Sequence, residues 1–326
     1  MKFLYFAAFL FLSFRCAEKD EVTVEKFKIR DEIELGEQLF FDPILSADNS
    51  LACASCHKPQ FAFADNKAFS LGVNDSLGTR NTPSVMNMLS RSFFFHDGRA
   101  ASLEEQAIGP VENPLEMNMS FDEAVKRIKA NPEYVRVFKK IYKEEPNRKN
   151  ITQALAEFQR SLESDGSAPH DLFVNGEDLN AMTASQQRGR KLFLADESKC
   201  FDCHFGPDFT GDEFRNIGLY DGVKLVDKGR FDFTKDPKDI GKFKVPGLRN
   251  VALTAPYMHN GMFKTLEEVI DYYSNPYDFV KNPINMDTLM LKPLNFTKEE
   301  KTDLVNFLHS LTDAEIPYVN RKITHK

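Results

Sequence analysis

Cys53-Ala54-Ser55-Cys56-His57 and Cys200-Phe201-Asp202-Cys203-His204 are the stretches on which the reading of this 326-residue chain turns. Two thiols at this spacing can add to the two vinyl groups of one haem, and the adjacent histidine then reaches the iron as proximal ligand. Paired zinc or redox CxxC motifs are the competing reading. Structural zinc sites join their pairs over a short spacer, whereas here nearly half the chain lies between them, and a redox CxxC needs no histidine directly after it. Both copies carry that histidine. The pattern predicts two covalent haem c groups, one on Cys53, Cys56 and His57, the other on Cys200, Cys203 and His204.

Four of the five cysteines are used in this way, so no disulfide framework remains. The fifth, Cys16, follows Met1-Lys2 and an apolar run from Phe3 to Phe14 that is too short for a membrane span. A charged start with a short apolar core reads as a secretory signal, and Cys16-Ala17-Glu18-Lys19-Asp20 is similar to a lipoprotein start, although Arg15 departs from the usual small residue. Haem c is attached outside the bacterial cytoplasm, which agrees with export. The expectation is a signal or lipoprotein start at 1–16, a charged tether at 17–30, and a periplasmic protein held at the membrane by lipid.

The composition, 42% hydrophobic and 28% charged, is that of a globular protein, and the length suits about two domains. The net charge of -7, to which haem propionates would add, argues against a nucleic-acid partner. A neutral or basic electron-donor protein is easier to accommodate.

Periodicity predicts a helix from Glu32 to Phe40, with Ile33, Gly36, Leu39 and Phe40 near one face, stopped by Asp42-Pro43. Ser102-Leu103-Glu104-Glu105 has the capping-box pattern and opens a short helix that Gly109-Pro110 should stop. Residues 121–163 read as mainly helical with breaks at Pro132 and Pro146, and Ile151, Leu155, Phe158 and Leu162 form a core stripe. The second half repeats the first. Gly36-Glu37-Gln38-Leu39-Phe40 matches Gly189-Arg190-Lys191-Leu192-Phe193, and Pro83-Ser84-Val85-Met86-Asn87 matches Pro246-Gly247-Leu248-Arg249-Asn250. His96-Asp97-Gly98 matches His259-Asn260-Gly261, and Ser102-Leu103-Glu104-Glu105 matches Thr265-Leu266-Glu267-Glu268. The fold class is therefore mainly α, with two tandem cytochrome c-like domains of one haem each, at 31–165 and 183–318, joined by a linker at 166–182.

The duplication permits an argument about the irons. On the helix from Thr265, Leu266, Val269, Ile270 and Tyr273 share a face, which turns Tyr273 towards the second haem and Tyr272 elsewhere. A phenolate can be an axial ligand. Met258, Met262, Met286 and Met290 stay open as alternatives, with Tyr273 then a core aromatic. In the same register the first copy has Pro110, which offers no ligand. No His occurs between His57 and His96, and no Met or Tyr between His57 and Met86. The first iron is expected to be five-coordinate or to hold only water, an open site for peroxide or dioxygen. Glu116 follows the short helix and is the candidate for proton transfer, and Gln106 on that helix is a candidate hydrogen-bond donor.

These residues resemble the bacterial dihaem cytochrome c peroxidase family, including its MauG-type branch. The resemblance spans about residues 30–315 and rests on both haem motifs together with Leu39-Phe40-Phe41-Asp42-Pro43, Thr79-Arg80-Asn81-Thr82-Pro83-Ser84, Asp97-Gly98-Arg99-Ala100 and Arg249-Asn250-Val251-Ala252-Leu253-Thr254-Ala255-Pro256-Tyr257. It implies an N-terminal haem where peroxide reacts and a C-terminal haem that receives electrons from a small cytochrome c or copper protein. It implies that Glu116 is the distal acid–base carboxylate, with Gln106 beside it. It also implies a calcium ion between the domains at Asn81, Thr254 and Pro256, whose amide and carbonyl oxygens suit that hard cation. A homodimer is expected from the family alone.

Three departures stand out. Val73 occupies the position of the family's blocking histidine, so no reductive activation is expected. Tyr273 stands where typical members have methionine, which is a MauG-type feature. His96 replaces the tryptophan between the haems, and the chain has no Trp at all. The expected function is reduction of hydrogen peroxide to water. The alternatives are a MauG-type peroxide-dependent oxidase of a protein or organic substrate, and a dihaem electron carrier without catalysis.

Overall fold

The structure is a computed structural model that describes residues 28–323. The expected signal, Cys16 and most of the tether at 17–30 lie outside the described residues. Helix α1 (Glu32–Phe40) starts at Asp31, whose carboxylate caps the Glu34 N–H, and buries Leu35, Gly36, Leu39 and Phe40. Leu35 takes the place expected for Ile33, which is 38% exposed. Helices α2 (Leu103–Glu112), α3 (Phe121–Lys129), α4 (Pro132–Tyr142) and α5 (Arg148–Arg160) complete the first half. The second half holds α6 (Pro169–Val174), α7 (Ala184–Phe193), the short α8 (Phe231–Thr234), α9 (Leu266–Ser274) and α10 (Lys298–His309). The strands β1 (Phe214–Arg215) and β2 (Phe243–Lys244) pair antiparallel over two residues each.

Each half is built on one close helix crossing. A Cβ on Gly36 of α1 would collide with the Ala154 carbonyl of α5 and with Phe158. A Cβ on Gly189 of α7 would collide in the same way with the Asp303 carbonyl of α10 and with Phe307. Glycine lets the two backbones touch, so that Phe40 with Phe158 and Phe193 with Phe307 meet at ring-centroid distances of 5.0 Å in both copies. Further bonds repeat across the halves. Asn87 N–H donates to Leu162 O (2.8 Å) while its Oδ1 accepts from Ser164 N–H (2.8 Å). Asn250 N–H donates to Leu311 O (2.9 Å) while its Oδ1 accepts from Asp313 N–H (2.8 Å).

Three local expectations are corrected. Helix α2 does not stop at Gly109-Pro110 but runs to Glu112, with the Asn113 N–H closing on Gly109 O. Pro110 forfeits only one backbone bond, and Val111, 1% exposed, anchors the extra turn in the core. The expected linker at 166–182 contains α6. Its His170 N–H donates to Ser310 O (3.0 Å) and its Asp171 receives both arms of Arg249 (2.6 and 3.1 Å), partners far away in sequence. The capping boxes at Ser102 and Thr265 are half-formed: each hydroxyl accepts from N3, but the Glu105 and Glu268 carboxylates reach back one residue further, to Ala101 N–H and Lys264 N–H.

Between the halves two backbone bonds are exchanged at matched positions. Asn81 N–H donates to His259 O, and Lys244 N–H donates to His96 O, both at 2.7 Å. Arg80 adds a two-armed pair with Asp227 (2.7 and 2.8 Å) and a bond to Asp97 (2.6 Å). Replacing Gly36 or Gly189 by alanine is expected to lower stability by about 1–3 kcal/mol through overpacking, read as an earlier urea midpoint of the holoprotein in each variant.

Candidate active site

One continuous cavity of about 1080 Å³ lies between the halves, and both CxxCH motifs open onto it. The four thiols are half-buried and form no disulfide. Burial, foremost, pushes Cys53 up to about 12 and Cys200 and Cys203 up to about 11, so these are not the thiolates of a redox centre. His57 Nδ1 faces Phe63 O (3.0 Å) and Pro83 O (3.1 Å), and His204 Nδ1 faces Phe209 O (2.9 Å). In both rings this fixes the proton on Nδ1 and leaves Nε2 to a metal. Thiol spacing, cavity size and ring orientation together fit one haem c per motif.

Above the first motif, α2 brings Gln106 and Pro110 to the cavity wall, and Glu116 joins them from the turn after it. Asn113 Nδ2 donates to Glu116 Oε1 (2.7 Å). Burial raises the Glu116 pKa above the ordinary glutamate value, against the opposing pull of Asn113 and Arg99. Asn113 was not singled out from the sequence; it is both the C-cap of α2 and the residue that orients the carboxylate. The loop before Thr79 lies directly on this turn. Val73 N–H donates to Glu116 O (2.8 Å), and a Cβ on Gly72 would strike the Leu115 carbonyl. The Val73 side chain is 2% exposed and packs away from the cavity wall.

Above the second motif, Tyr273 of α9 reaches the cavity wall, while Tyr272 is fully buried elsewhere, its hydroxyl donating to Ile217 O (2.6 Å). Burial and then Cys203 and Cys200 hold the Tyr273 phenol above its ordinary pKa; the thiolate repulsion disappears once thioethers form. Met258 and Met290 also line the cavity. Met262 is 36% exposed, and Met286 packs on Gly218, off the wall.

Between the motifs, His96 Nε2 donates to Asn81 O (2.9 Å). The His259 ring stacks on Phe243 at 3.8 Å and 11°, and the Arg80 guanidinium lies over the Phe243 ring at 5.6 Å from its centroid. The repeat marked His259, but nothing in the sequence marked Phe243. Burial lowers the His96 pKa to about 4, and burial together with His96 lowers that of His259. Asn81 is buried, with its Nδ2 donating to Lys67 O (3.0 Å), and shares the cavity wall with Thr254 and Pro256. This set offers neutral amide and carbonyl oxygens, which is chemistry calcium accepts.

The family description di-haem cytochrome c peroxidase matches residues 30–179, and the description cytochrome c matches residues 186–312. The methylamine utilization protein MauG of Methylorubrum extorquens is 39% identical over 285 residues, covering 86% of this chain and 78% of that protein. The chain belongs to the di-haem cytochrome c peroxidase family. Cytochrome c peroxidase Ccp of Escherichia coli (strain K12) is 37% identical over 299 residues, which are 89% of this chain but 60% of that longer relative. The crystal structure of a MauG-like protein associated with microbial copper homeostasis superposes with a TM-score of 0.80 at 32% identity, covering 88% of this chain and 92% of that one. Membership makes the chain an oxidoreductase by family, and together with the two motifs it implies haem c as the cofactor.

The His96 ring stays neutral in the folded chain down to about pH 4, whereas its ordinary value is 6.5. In that window the unfolded chain binds the extra proton, so stability falls as pH is lowered from 6.5 towards 4. Urea midpoints compared at neutral and acid pH should fall less in His96→Gln, which keeps a donor for Asn81 O but does not titrate.

Proposed function

We propose that this protein reduces hydrogen peroxide to water at an open N-terminal haem, with electrons delivered through the C-terminal haem. One observation supports this most: Pro110 and Tyr273 occupy matched positions of α2 and α9, and both face the cavity. One haem thus meets a side chain without a ligand atom, and the other meets a phenol. When bound, haem supplies iron as the peroxide site and a store of electrons. Cys53, Cys56 and His57 would hold one such group, and Cys200, Cys203, His204 and Tyr273 would hold the other.

The chain's own residues supply the proton chemistry. Glu116 takes a proton from the near peroxide oxygen and returns it to the departing one, so that peroxide, two protons and two electrons give two waters. Asn113 holds the carboxylate, and Gln106 donates to the bound oxygen. The apolar surroundings that raise the Glu116 pKa make it a stronger base near neutral pH. Val73 packs off the cavity wall, and the loop residues that line it, Ser70, Leu71 and Gly72 among them, bring no imidazole that must be displaced first. The electron donor is a small cytochrome c or copper protein. Export, lipid anchoring at Cys16 and dimerisation belong to the same reading. A MauG-type oxidation of a protein or organic substrate is favoured by one feature, the phenol of Tyr273 on the cavity wall.

Ferric electron paramagnetic resonance should show a high-spin signal from the first haem, and peroxide added to the as-isolated protein should change the haem absorption at once. Glu116→Gln should slow that reaction by about 10²–10⁴-fold. Two low-spin irons that are inert to peroxide would leave the electron carrier as the surviving reading. Calcium is part of the proposal, held by Asn81, Thr254 and Pro256. Chelation should lower the rate of electron transfer between the haems, calcium should restore it, and Asn81→Ala should abolish both responses.

A further inference from the structure

The C-terminal segment after α10 leaves its own half and lies across the first one. Ile316, Tyr318 and Ile323 pack on the N-terminal core, and Arg321 pairs with Glu37 of α1 (3.1 Å) while covering the Phe41 ring at 5.8 Å. Its Tyr318 completes an aromatic cluster that begins at the first haem site. Phe40 lines the cavity with its ring centroid 6.2 Å from that of His57. From Phe40 one path runs through Phe158 (5.0 Å) to Tyr318 (5.3 Å), and a second through Phe63 (6.1 Å) to Tyr318 (6.4 Å). The phenylalanines are at most 2% exposed, so no water interrupts either path, whereas Tyr318 is half-buried and meets solvent. Phenylalanine is too hard to oxidise to hold a hole itself; Tyr318 is the oxidisable ring at the solvent end.

We propose that Tyr318 is a second reactive site, an outlet at which the oxidising equivalents of peroxide reach phenols at the protein surface. The inference rests on the function proposed above. The Tyr318 phenol gives one electron inward to the peroxide-oxidised haem and its proton to the water it meets at the surface, and becomes a neutral phenoxyl radical. A phenol docked outside returns a hydrogen atom and leaves as its own radical. Over two such cycles, two phenols and one peroxide give two phenoxyl radicals and two waters. The phenol is that of a small aromatic molecule or of a tyrosine on another protein.

The test mixes the ferric holoprotein with peroxide and freezes it within the first turnover, with unlabelled and with ring-deuterated tyrosine. A tyrosyl radical signal that narrows on deuteration is expected, and its loss in Tyr318→Phe, which keeps the ring packing, while the haem absorption still responds to peroxide. Oxidation of 4-methoxyphenol and dityrosine formation with a tyrosine-bearing peptide distinguish the two phenol sources, and both should be lost in Tyr318→Phe. An equal radical yield in Tyr318→Phe overturns the proposal, as does a haem response with no tyrosyl radical. A haem that ignores peroxide overturns the proposed function and this inference with it.

Discussion

Everything that faces the cavity is held by the reciprocal pair of backbone bonds from Asn81 N–H to His259 O and from Lys244 N–H to His96 O. Each half donates from one position (Asn81, Lys244) and accepts at the matched one of the other half (His259, His96), so the duplicated domains meet around an approximate two-fold axis. That geometry turns both haem motifs towards one cavity instead of to opposite faces of the molecule. The same contact buries His96 and His259, and it brings Arg80 to Asp227 and Asp97. The Arg80 guanidinium outweighs the cost of burial and holds the Asp227 carboxyl below the ordinary carboxylate range. A buried charge of this kind is tolerated because both of its partners are ionised and directly bonded to it.

Within that symmetric frame the chemistry depends on asymmetry. The crossing helices, the asparagine turns at Asn87 and Asn250 and the histidine clamps recur in both halves, because each must seat a haem in the same way. Helices α2 and α9 also recur, down to the same displaced capping bond. Their last turns differ. Pro110 brings no ligand atom to the cavity wall, and the chain then folds back to present Glu116. Tyr273 presents a phenol there. A single position of a duplicated helix thus carries proline in one half and a phenol in the other.

The C-terminal segment repeats an exchange that the segment after α5 makes in the other direction: His170 meets Phe209 and Phe307 of the second half (5.2 and 5.8 Å), and Tyr318 meets Phe63 and Phe158 of the first (6.4 and 5.3 Å). Its apolar residues cover the aromatic side of the N-terminal core, and the Glu37–Arg321 pair fixes its end. The His57 side of the first site is therefore lined by phenylalanine and closed at the surface by tyrosine.

The sequence by itself determined the parts that local chemistry writes down. Thiol spacing gives the haem attachment, and matched segments, Gly36 to Phe40 with Gly189 to Phe193 among them, give the duplication. The bounds of α1 were legible from periodicity. Tertiary structure decided the rest, since the partners lie far apart along the chain. Whether α2 survives Pro110 depended on the burial of Val111, and whether the linker coils depended on Arg249 and Ser310. The orientation of Glu116 by Asn113, the His259–Phe243 stack and the meeting of Tyr318 with Phe63 and Phe158 leave no local signature. They arise only when two half-molecules pack, because a hydrogen bond or a ring contact is set by distance in space and not by separation in sequence.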